Sequence, residues 1–246
     1  MRIRVHAYHP ASRSAKLLST LSGWLRLKRQ TSFRPNADDV IINWGSSSCL
    51  SFPCRVLNPA TSIIIASNKL RAFERMKNAG VSIPEYVQSY NALEPDVRYV
   101  GRSTLSGHSG EGITLGERDD ESLDRNAPLY TQYIRKEQEF RLHVVGGRII
   151  FTQRKARKLD VENPNWEIRN LANGFVFVQH DSAGEAAERE AIAAVEACGL
   201  DFGAVDLVLE KDTNNVYVLE VNTACGLEER TANKYIEAFK AALACQ

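Results

Sequence analysis

No run of about 18 apolar residues occurs anywhere in this 246-residue chain, so the sequence offers no membrane-spanning helix. It also lacks a Cys-x-x-Cys pair: Cys49, Cys54, Cys198, Cys225 and Cys245 are odd in number and scattered. That pattern argues against a zinc knuckle or a disulfide framework and makes a reducing cytoplasm the expected setting. Internal repeats and low-complexity tracts are missing as well. Acid is absent from the start. No Asp or Glu precedes Asp38, while Arg2, Arg4, Arg13, Lys16, Arg26, Lys28, Arg29 and Arg34 are all positive. With a net charge of only +1 over the whole chain, the remainder carries the acidic excess. A basic opening of this kind suits an anionic substrate or partner, the plainer reading being a solvated basic face. Its serines, Ser12, Ser14, Ser19 and Ser22, also give it the composition of an organelle transit peptide. Against that, Arg2-Ile3-Arg4-Val5-His6-Ala7-Tyr8 alternates as a strand does, and Val40-Ile41-Ile42 reads as a second strand.

What is present is a mixed α/β order. Leu17, Leu21, Trp24 and Leu25 mark one face of a helix whose end suits Lys28 and Arg29. Ile63-Ile64-Ile65 is a third short apolar run after the two strands. Ser67 reads as the N-cap of a helix with Leu70, Phe73 and Met76 inward, stopped by Gly80 and Pro84. Residues 97–154 read as strands, with Gly146-Gly147 as a two-residue hairpin turn. After a loop over 156–173 comes a strand at 175–178. Ser182-Ala183-Gly184-Glu185 reads as a capping box for a helix ending at Cys198-Gly199. Two further strands precede a last helix with Ile236, Phe239 and Leu243 on one face.

The last strand pair carries the most chemistry. Residues 204–210 and Val216–Asn222 flank the turn-forming Asp212-Thr213-Asn214-Asn215. A loop of Asp212-Thr213-Asn214 sets Asp206 opposite Glu220, with Asn222 on the same face; one residue more or fewer breaks that parity. Opposed carboxylates repel unless something positive lies between them. Two acids and an amide, without His or Cys, suit Mg²⁺ bearing phosphates better than zinc. Spacing alone leaves a solvated acidic hairpin equally open.

Ser106-Gly107-His108-Ser109-Gly110-Glu111-Gly112 lies between two strands and can aim backbone N–H groups at phosphate oxygens. It is neither a P-loop nor a dinucleotide fingerprint, and stretches like it also occur as plain surface turns. The Gly146-Gly147 turn sets Glu139 against Arg154 and Arg141 against Thr152, so Glu139 and Arg141 share a face with Lys155 at the strand's end. Such a face forms either a cross-strand salt bridge or a set of acceptors for ribose and cations for phosphate.

Taken in order, these pieces resemble the ATP-grasp superfamily over roughly residues 67–246, and most of all its carboxylate–amine ligases of the glutamate-ligase, ribosomal-protein S6 modification type. Gly203-Ala204-Val205-Asp206 and Val218-Leu219-Glu220-Val221-Asn222 resemble its metal-holding strands, and Ser67-Asn68-Lys69 its entry helix. Thr131-Gln132-Tyr133-Ile134 resembles the hinge whose backbone meets adenine, Glu139-Phe140-Arg141 the acid-x-Arg that follows, and Arg169-Asn170 the pair beside the metals. The resemblance implies an α/β (α+β) ATP-grasp fold in which two β-rich lobes sandwich ATP. A short N-terminal α/β lobe (1–66) would face substrate or partner, with a lid at about 97–136 and a metal lobe at about 137–246. It implies ATP contacts from Lys69, Arg102, Gly107, Ser109, Gly110, Gly112, Gln132, Tyr133, Ile134 and Glu139, and catalytic roles for Arg141, Lys155, Arg169 and Asn170. It further implies one or two Mg²⁺ ions, Mn²⁺ also being suited, on Asp206, Glu220 and Asn222. Two departures stand out: Arg102 replaces the usual Lys, and Cys225 replaces the usual Pro.

The implied reaction is ATP-dependent amide formation through an acylphosphate, from a carboxylate and an amine that the sequence does not name. No enzyme nucleophile is needed, so Cys225 reads as a small packing residue. The rivals are an ATP-grasp kinase that stops at phosphoryl transfer, and a non-catalytic nucleotide-binding module with a basic docking face.

Overall fold

Alternation at the start and the apolar run near residue 42 both become strands. The computed structural model describes residues 1–27, 33–48, 52–106 and 111–244. Ile3–Ala7 (β1) and Val40–Trp44 (β3) pair in parallel, flanked by Leu25–Arg26 (β2) and Arg55–Leu57 (β4) in the order β2-β1-β3-β4. Between β1 and β2 runs Arg13–Ser22 (α1), capped by Ser12, whose hydroxyl accepts the Ala15 N–H. The apolar pattern suggests a helix reaching Leu25, but Gly23 ends it in the left-handed region at φ 76°. Its buried face is Ser14, Ala15 and Leu18, while Leu25 is exposed. Lys28 and Arg29 lie outside the described residues. Of the basic residues in this segment, Arg2 pairs with Asp39, and Arg2 and Arg4 both lie over the Phe33 ring.

The Ile63-Ile64-Ile65 run is helical rather than extended. It sits within Ala60–Ser67 (α2), behind Pro59, which presets the turn. Beside it, Asn58 takes φ 59° and ties this corner to the rest of the chain. Its Oδ1 accepts the N–H groups of Asp201 and Phe202 at 2.8 and 3.1 Å, and its Nδ2 donates to the Phe202 carbonyl at 2.9 Å. Asn58 is fully buried, so each of those bonds is costly to lose. The next helix, Lys69–Asn78 (α3), is capped by Asn68 instead of the expected Ser67, because α2 claims Ser67 as its last residue. Phe73 and Met76 point inward as the pattern predicts.

Tyr86–Val87 (β5), Tyr99–Arg102 (β6), Ile113–Gly116 (β7) and Leu129–Gln132 (β8) form an antiparallel sheet in the order β5-β8-β6-β7. It has its own small core of Leu93, Tyr99, Leu123, Ala127 and Tyr130, and it takes in β5, upstream of residue 97. The third sheet comprises Lys136–Val145 (β9), Arg148–Arg157 (β10), Phe175–His180 (β11), Phe202–Glu210 (β12) and Val216–Asn222 (β13), ordered β11-β10-β9-β12-β13. Glu185–Ala197 (α4) and Glu229–Ala244 (α5) complete the fold. No capping box opens α4: Gly184 holds the cap position, and the Ser182 hydroxyl reaches Glu188 instead, at 2.7 Å.

Period-two alternation divides the third sheet. Phe140, Leu142 and Val144 of β9, with Val205 and Leu207 of β12, join Phe73, Met76, Ala191 and Val195 in the largest core. Residues of the opposite phase, Glu139, Arg141, His143 and Asp206, face the other way, and all but Arg141 are nearly inaccessible. A second core fastens the first sheet to this one through Trp44, Phe202, Tyr235 and Phe239. No helix among the described residues is long and apolar enough to cross a membrane.

Candidate active site

Both hairpins that build the site contain a bulge. Near its turn the β12–β13 pair runs Leu209↔Val216 and Val208↔Tyr217, one residue longer in the loop than the parity argument assumes. An irregularity between Asp206 and Leu207 leaves Leu219 without a partner, after which Asp206 lies opposite Glu220 and Ala204 opposite Asn222. The expected pairing is therefore present, reached by a different route. In the β9–β10 hairpin the shift works against expectation. Arg148↔Val145 and Ile149↔Val144 follow the Gly146-Gly147 turn, but a bulge before Phe151 sets Arg141 opposite Gln153 and Phe140 opposite Arg154. Glu139 is thus not opposed to Arg154, nor Arg141 to Thr152. The slip carries Lys155 onto the site face, where its ammonium meets Glu139 Oε1.

The β9–β12 register then sets Arg141 opposite Asp206. The guanidinium grips the carboxylate in a two-point fork, Nε to Oδ1 at 2.6 Å and Nη2 to Oδ2 at 2.7 Å. Glu220 takes its cation from the entry helix, pairing with the Lys69 ammonium. Asn222 Nδ2 donates to Glu220 Oε1 at 3.0 Å and lies 3.5 Å from Asp206 Oδ2, so the three expected metal residues form one cluster. Burial pushes the Asp206 carboxyl upward, against the charge and hydrogen bonds of Arg141. For Glu220 burial also pushes up, but the Lys69 ammonium and the Asn222 amide outweigh it and hold the acid well below the usual carboxylate range. Arg141 is buried too, yet the Asp206 charge keeps it more firmly protonated than an ordinary arginine.

Arg102, at the end of β6, extends toward the same cluster. Burial lowers its affinity for the proton while the Glu220 charge raises it, and its Nε is buried with no hydrogen-bond partner among the described residues. An arginine donor so placed is open to an incoming anion. Gly112 closes the neck of the glycine loop: its carbonyl accepts the Ser103 N–H at 2.9 Å, and a Cβ there would meet Ser103 Oγ at 2.2 Å. Gly107, Ser109 and Gly110 lie outside the described residues.

Glu139 and Lys155 sit beside Lys136, whose ammonium is 3.7 Å from Glu139 Oε2. Burial lowers the Lys136 pKa, Glu139 opposing the shift and the charges of Lys155 and Arg169 adding to it. In the hinge, the N–H of Gln132 is bonded to the Glu85 carbonyl and that of Tyr133 to the Arg98 carbonyl, both at 2.8 Å. Contacts from this hinge to a base therefore fall to groups other than these two N–H donors. Ile134 is buried below them. Arg169 is held at the Lys136 end of β9, donating to the carbonyls of Lys136 and Trp166. Asn170 shapes its loop by accepting the N–H groups of Asn173 and Phe175.

Sequence reasoning missed a buried polar group behind Arg141. His143 Nδ1 is 3.1 Å from the Tyr235 hydroxyl and its Nε2 is 2.9 Å from Gln153 Oε1, with Cys225 Sγ 3.8 Å from Nδ1. Period two along β9 places His143 on the site face, but only the register reveals its partners. Cys225 belongs to the core between the first and third sheets, in keeping with a packing role, and burial raises its thiol pKa to about 11. Ser14 of α1 fixes this loop by donating to the Cys225 carbonyl at 3.0 Å and accepting the Leu227 N–H at 3.1 Å. Burial lowers the His143 pKa to about 4, the Gln153 contact opposing and the Arg141 charge assisting. Its folded value lies below its unfolded one, so its contribution is complete above about pH 6.5 and is lost as pH falls toward 4. By pH 5 the protein should lose roughly 2 kcal/mol through this residue, and His143→Gln should flatten that part of a urea-denaturation pH series.

Among the described residues no group of three or more His, Cys, Asp or Glu side chains gathers as a ready ligand set. The cluster instead offers two carboxylates and one amide, ringed by Lys69, Arg102, Arg141 and Lys155. That balance fits an anion, or an anion carrying a hard cation.

Comparison with known proteins agrees. The ATP-grasp domain model matches residues 66–225. A probable alpha-L-glutamate ligase of Pasteurella multocida is 27% identical over 230 residues, covering 78% of this chain and 67% of that protein. The chain spans 60% to 71% of the length of it and the next curated relatives. The D-alanine–D-alanine ligase of Bacillus anthracis superposes with a TM-score of 0.67 at 12% identity, over 99% of both chains. A Chryseobacterium gregarium ATP-grasp ligase, in complex with ADP and a leader and core peptide, gives 0.67 at 12% identity, over 98% of this chain and 97% of that one. With the family model matching well over half its length and the fold shared end to end, the chain belongs to the ATP-grasp family.

Proposed function

We propose that the protein is an ATP-dependent carboxylate–amine ligase that forms an amide through an acylphosphate. One observation carries the reading. One face of the β9–β13 sheet brings Asp206 and Glu220 each within hydrogen-bond reach of Asn222, with Arg141 and Lys69 on the acids and beside them the Nε of Arg102, which has no hydrogen-bond partner among the described residues. The glutamate-ligase relatives support the same activity.

In this reading ATP lies between the β5–β8 sheet and the β9–β13 sheet, its adenine at the 132–134 hinge and its phosphates toward Arg102, Lys155 and the 106–112 loop. The donor set of Asp206, Glu220 and Asn222, all oxygen, fits one or two Mg²⁺ ions, with Mn²⁺ as a substitute. Bound there, the metal would supply charge neutralisation on the phosphates. Arg102 and Lys155 spread the charge on the transferring phosphoryl group as the substrate carboxylate attacks it. An amine then displaces phosphate, and Arg141 steadies the tetrahedral intermediate. Residues 97–136 act as a lid that keeps water from the acylphosphate. Residues 1–66 supply the acceptor side and, through their basic residues, meet an anionic partner. A cytoplasmic setting suits the free thiols of Cys54, Cys198 and Cys225.

The test is an ADP-release screen over pooled carboxylates and amines, with mass spectrometry of the product. Glutamate is the first amine to try and a peptide carboxylate the first acceptor, after the names of the relative and the structural neighbour. ADP, phosphate and a new amide are expected. A stable phosphoester would make the protein a kinase, and ATP binding without consumption across all mixtures would reduce it to a nucleotide-binding module.

A further inference from the structure

Phe177 stands out because its ring has no place in the apolar packing. It belongs to none of the hydrophobic clusters and to no aromatic pair among the described residues. Its neighbours on the edge strand β11 have ordinary roles: Phe175 is buried against Trp166, and Val178 is exposed. Instead, the ring lies under two cations. Arg141 Cζ is 4.3 Å from its centroid and Lys155 Nζ is 4.9 Å away. The register explains the meeting. Lys155 is opposed to Phe177 across β10–β11, and the bulge in β10 that turns Lys155 onto the site face also sets Gln153 beside Arg141. Each cation also pairs with an acid, Asp206 for Arg141 and Glu139 for Lys155. The ring is thus a second partner for both, beside the acids.

We infer that Phe177 is a positioning residue: an aromatic platform whose face holds Arg141 and Lys155 in the orientation from which they meet the phosphates and the reacting carboxyl. The physical basis is the attraction of a cation to the negative face of a ring, which is stronger where water is partly excluded. A ring is also rigid, whereas a lysine without it would explore rotamers of its long stem. The inference rests on the nucleotide-site reading above, since the platform matters only if these cations meet ATP.

The test measures binding of ATP and of AMP, each with Mg²⁺, by calorimetry to the full chain and to Phe177→Leu, Phe177→Met and Phe177→Tyr, with melting temperatures alongside. Leu and Met keep apolar bulk without the ring, so ATP affinity should fall about tenfold, an effect in the range of two modest cation–π contacts. AMP affinity should stay within about twofold, because the phosphates that differ between the two are those the cations meet, and Phe177→Tyr should bind ATP as the wild type does. If Phe177→Leu fails to fold, Phe177→Met gives the reading. Equal losses for ATP and AMP, or a Tyr variant as weak as Leu, would mark Phe177 as ordinary packing and overturn the inference. Unchanged ATP affinity in both apolar variants would do the same. A wild type that binds neither nucleotide would instead sink the nucleotide-site reading itself.

Discussion

Asp206→Asn should cut ATP turnover by on the order of 10² to 10³ while leaving the fold in place. The substitution is nearly isosteric, so the packing of β12 between β9 and β13 survives. What changes is charge. Asp206 shares its cluster with Glu220 and Asn222, and a hard divalent cation held there loses one of its two anionic ligands. The asparagine amide also turns an N–H₂ group or a weaker acceptor toward the Arg141 fork, which loosens the guanidinium that steadies the intermediate. Two measurements separate these causes from simple damage. Saturating Mg²⁺ or Mn²⁺ should recover part of the lost rate, since a weakened metal site responds to metal concentration. The melting temperature should fall, because the buried Arg141 loses its counter-charge, but by less than in Arg141→Met, since Asn keeps an oxygen for the guanidinium. Glu220→Gln should behave alike, with Lys69 as the cation left unmatched. Turnover at the wild-type rate in either variant would remove the hairpin from the chemistry.

How much of this arrangement the sequence discloses depends on whether a feature is periodic or relational. Alternation is local, so β1, β3, β9 and β12 are readable, and so is the inward face of α3. Caps are local but contested. Ser67 and Asn68 are both good N-caps, and the choice fell to Asn68 only because α2 ends on Ser67. The Ile63-Ile64-Ile65 run has β propensity, overridden by Pro59 and by burial of Ile63 and Ala66 against the main core. Register is not local at all. The parity that opposes Asp206 to Glu220 holds only because the Leu219 bulge cancels a loop one residue longer than assumed. The same device in β10, unanticipated, replaced Arg154 by Lys155 on the working face. Bulges leave little trace in composition, and they re-aim side chains where a site needs them. Phe177, His143 and Ser14 were invisible for the same reason, since each matters through a partner from a distant part of the chain.

Arg141→Met tests the electrostatic half of that relation and should cost about 3–5 kcal/mol of stability at neutral pH. Methionine fills much the same volume, so the loss is not chiefly one of packing. It comes from Asp206, only 6% exposed, left without the guanidinium that offsets its burial. Burial already pushes this carboxyl upward, and removing Arg141 pushes it further in the same direction. The sign of the pH dependence follows. A carboxyl with a folded pKa above its unfolded value of about 3.9 takes up a proton on folding, so the deficit relative to wild type is small in acid. It grows as pH rises through the raised folded value and is constant above it. Urea denaturation of both proteins between pH 5 and 8 should show the gap widening with pH, whereas a pure packing defect would give a constant gap. Adding Asp206→Leu to Arg141→Met should restore most of the loss and abolish its pH dependence, because an apolar pair of similar bulk has no charge to desolvate. The doubly substituted protein should be stable and inactive. That separation would show the buried ion pair to be retained for the reaction and not for the fold.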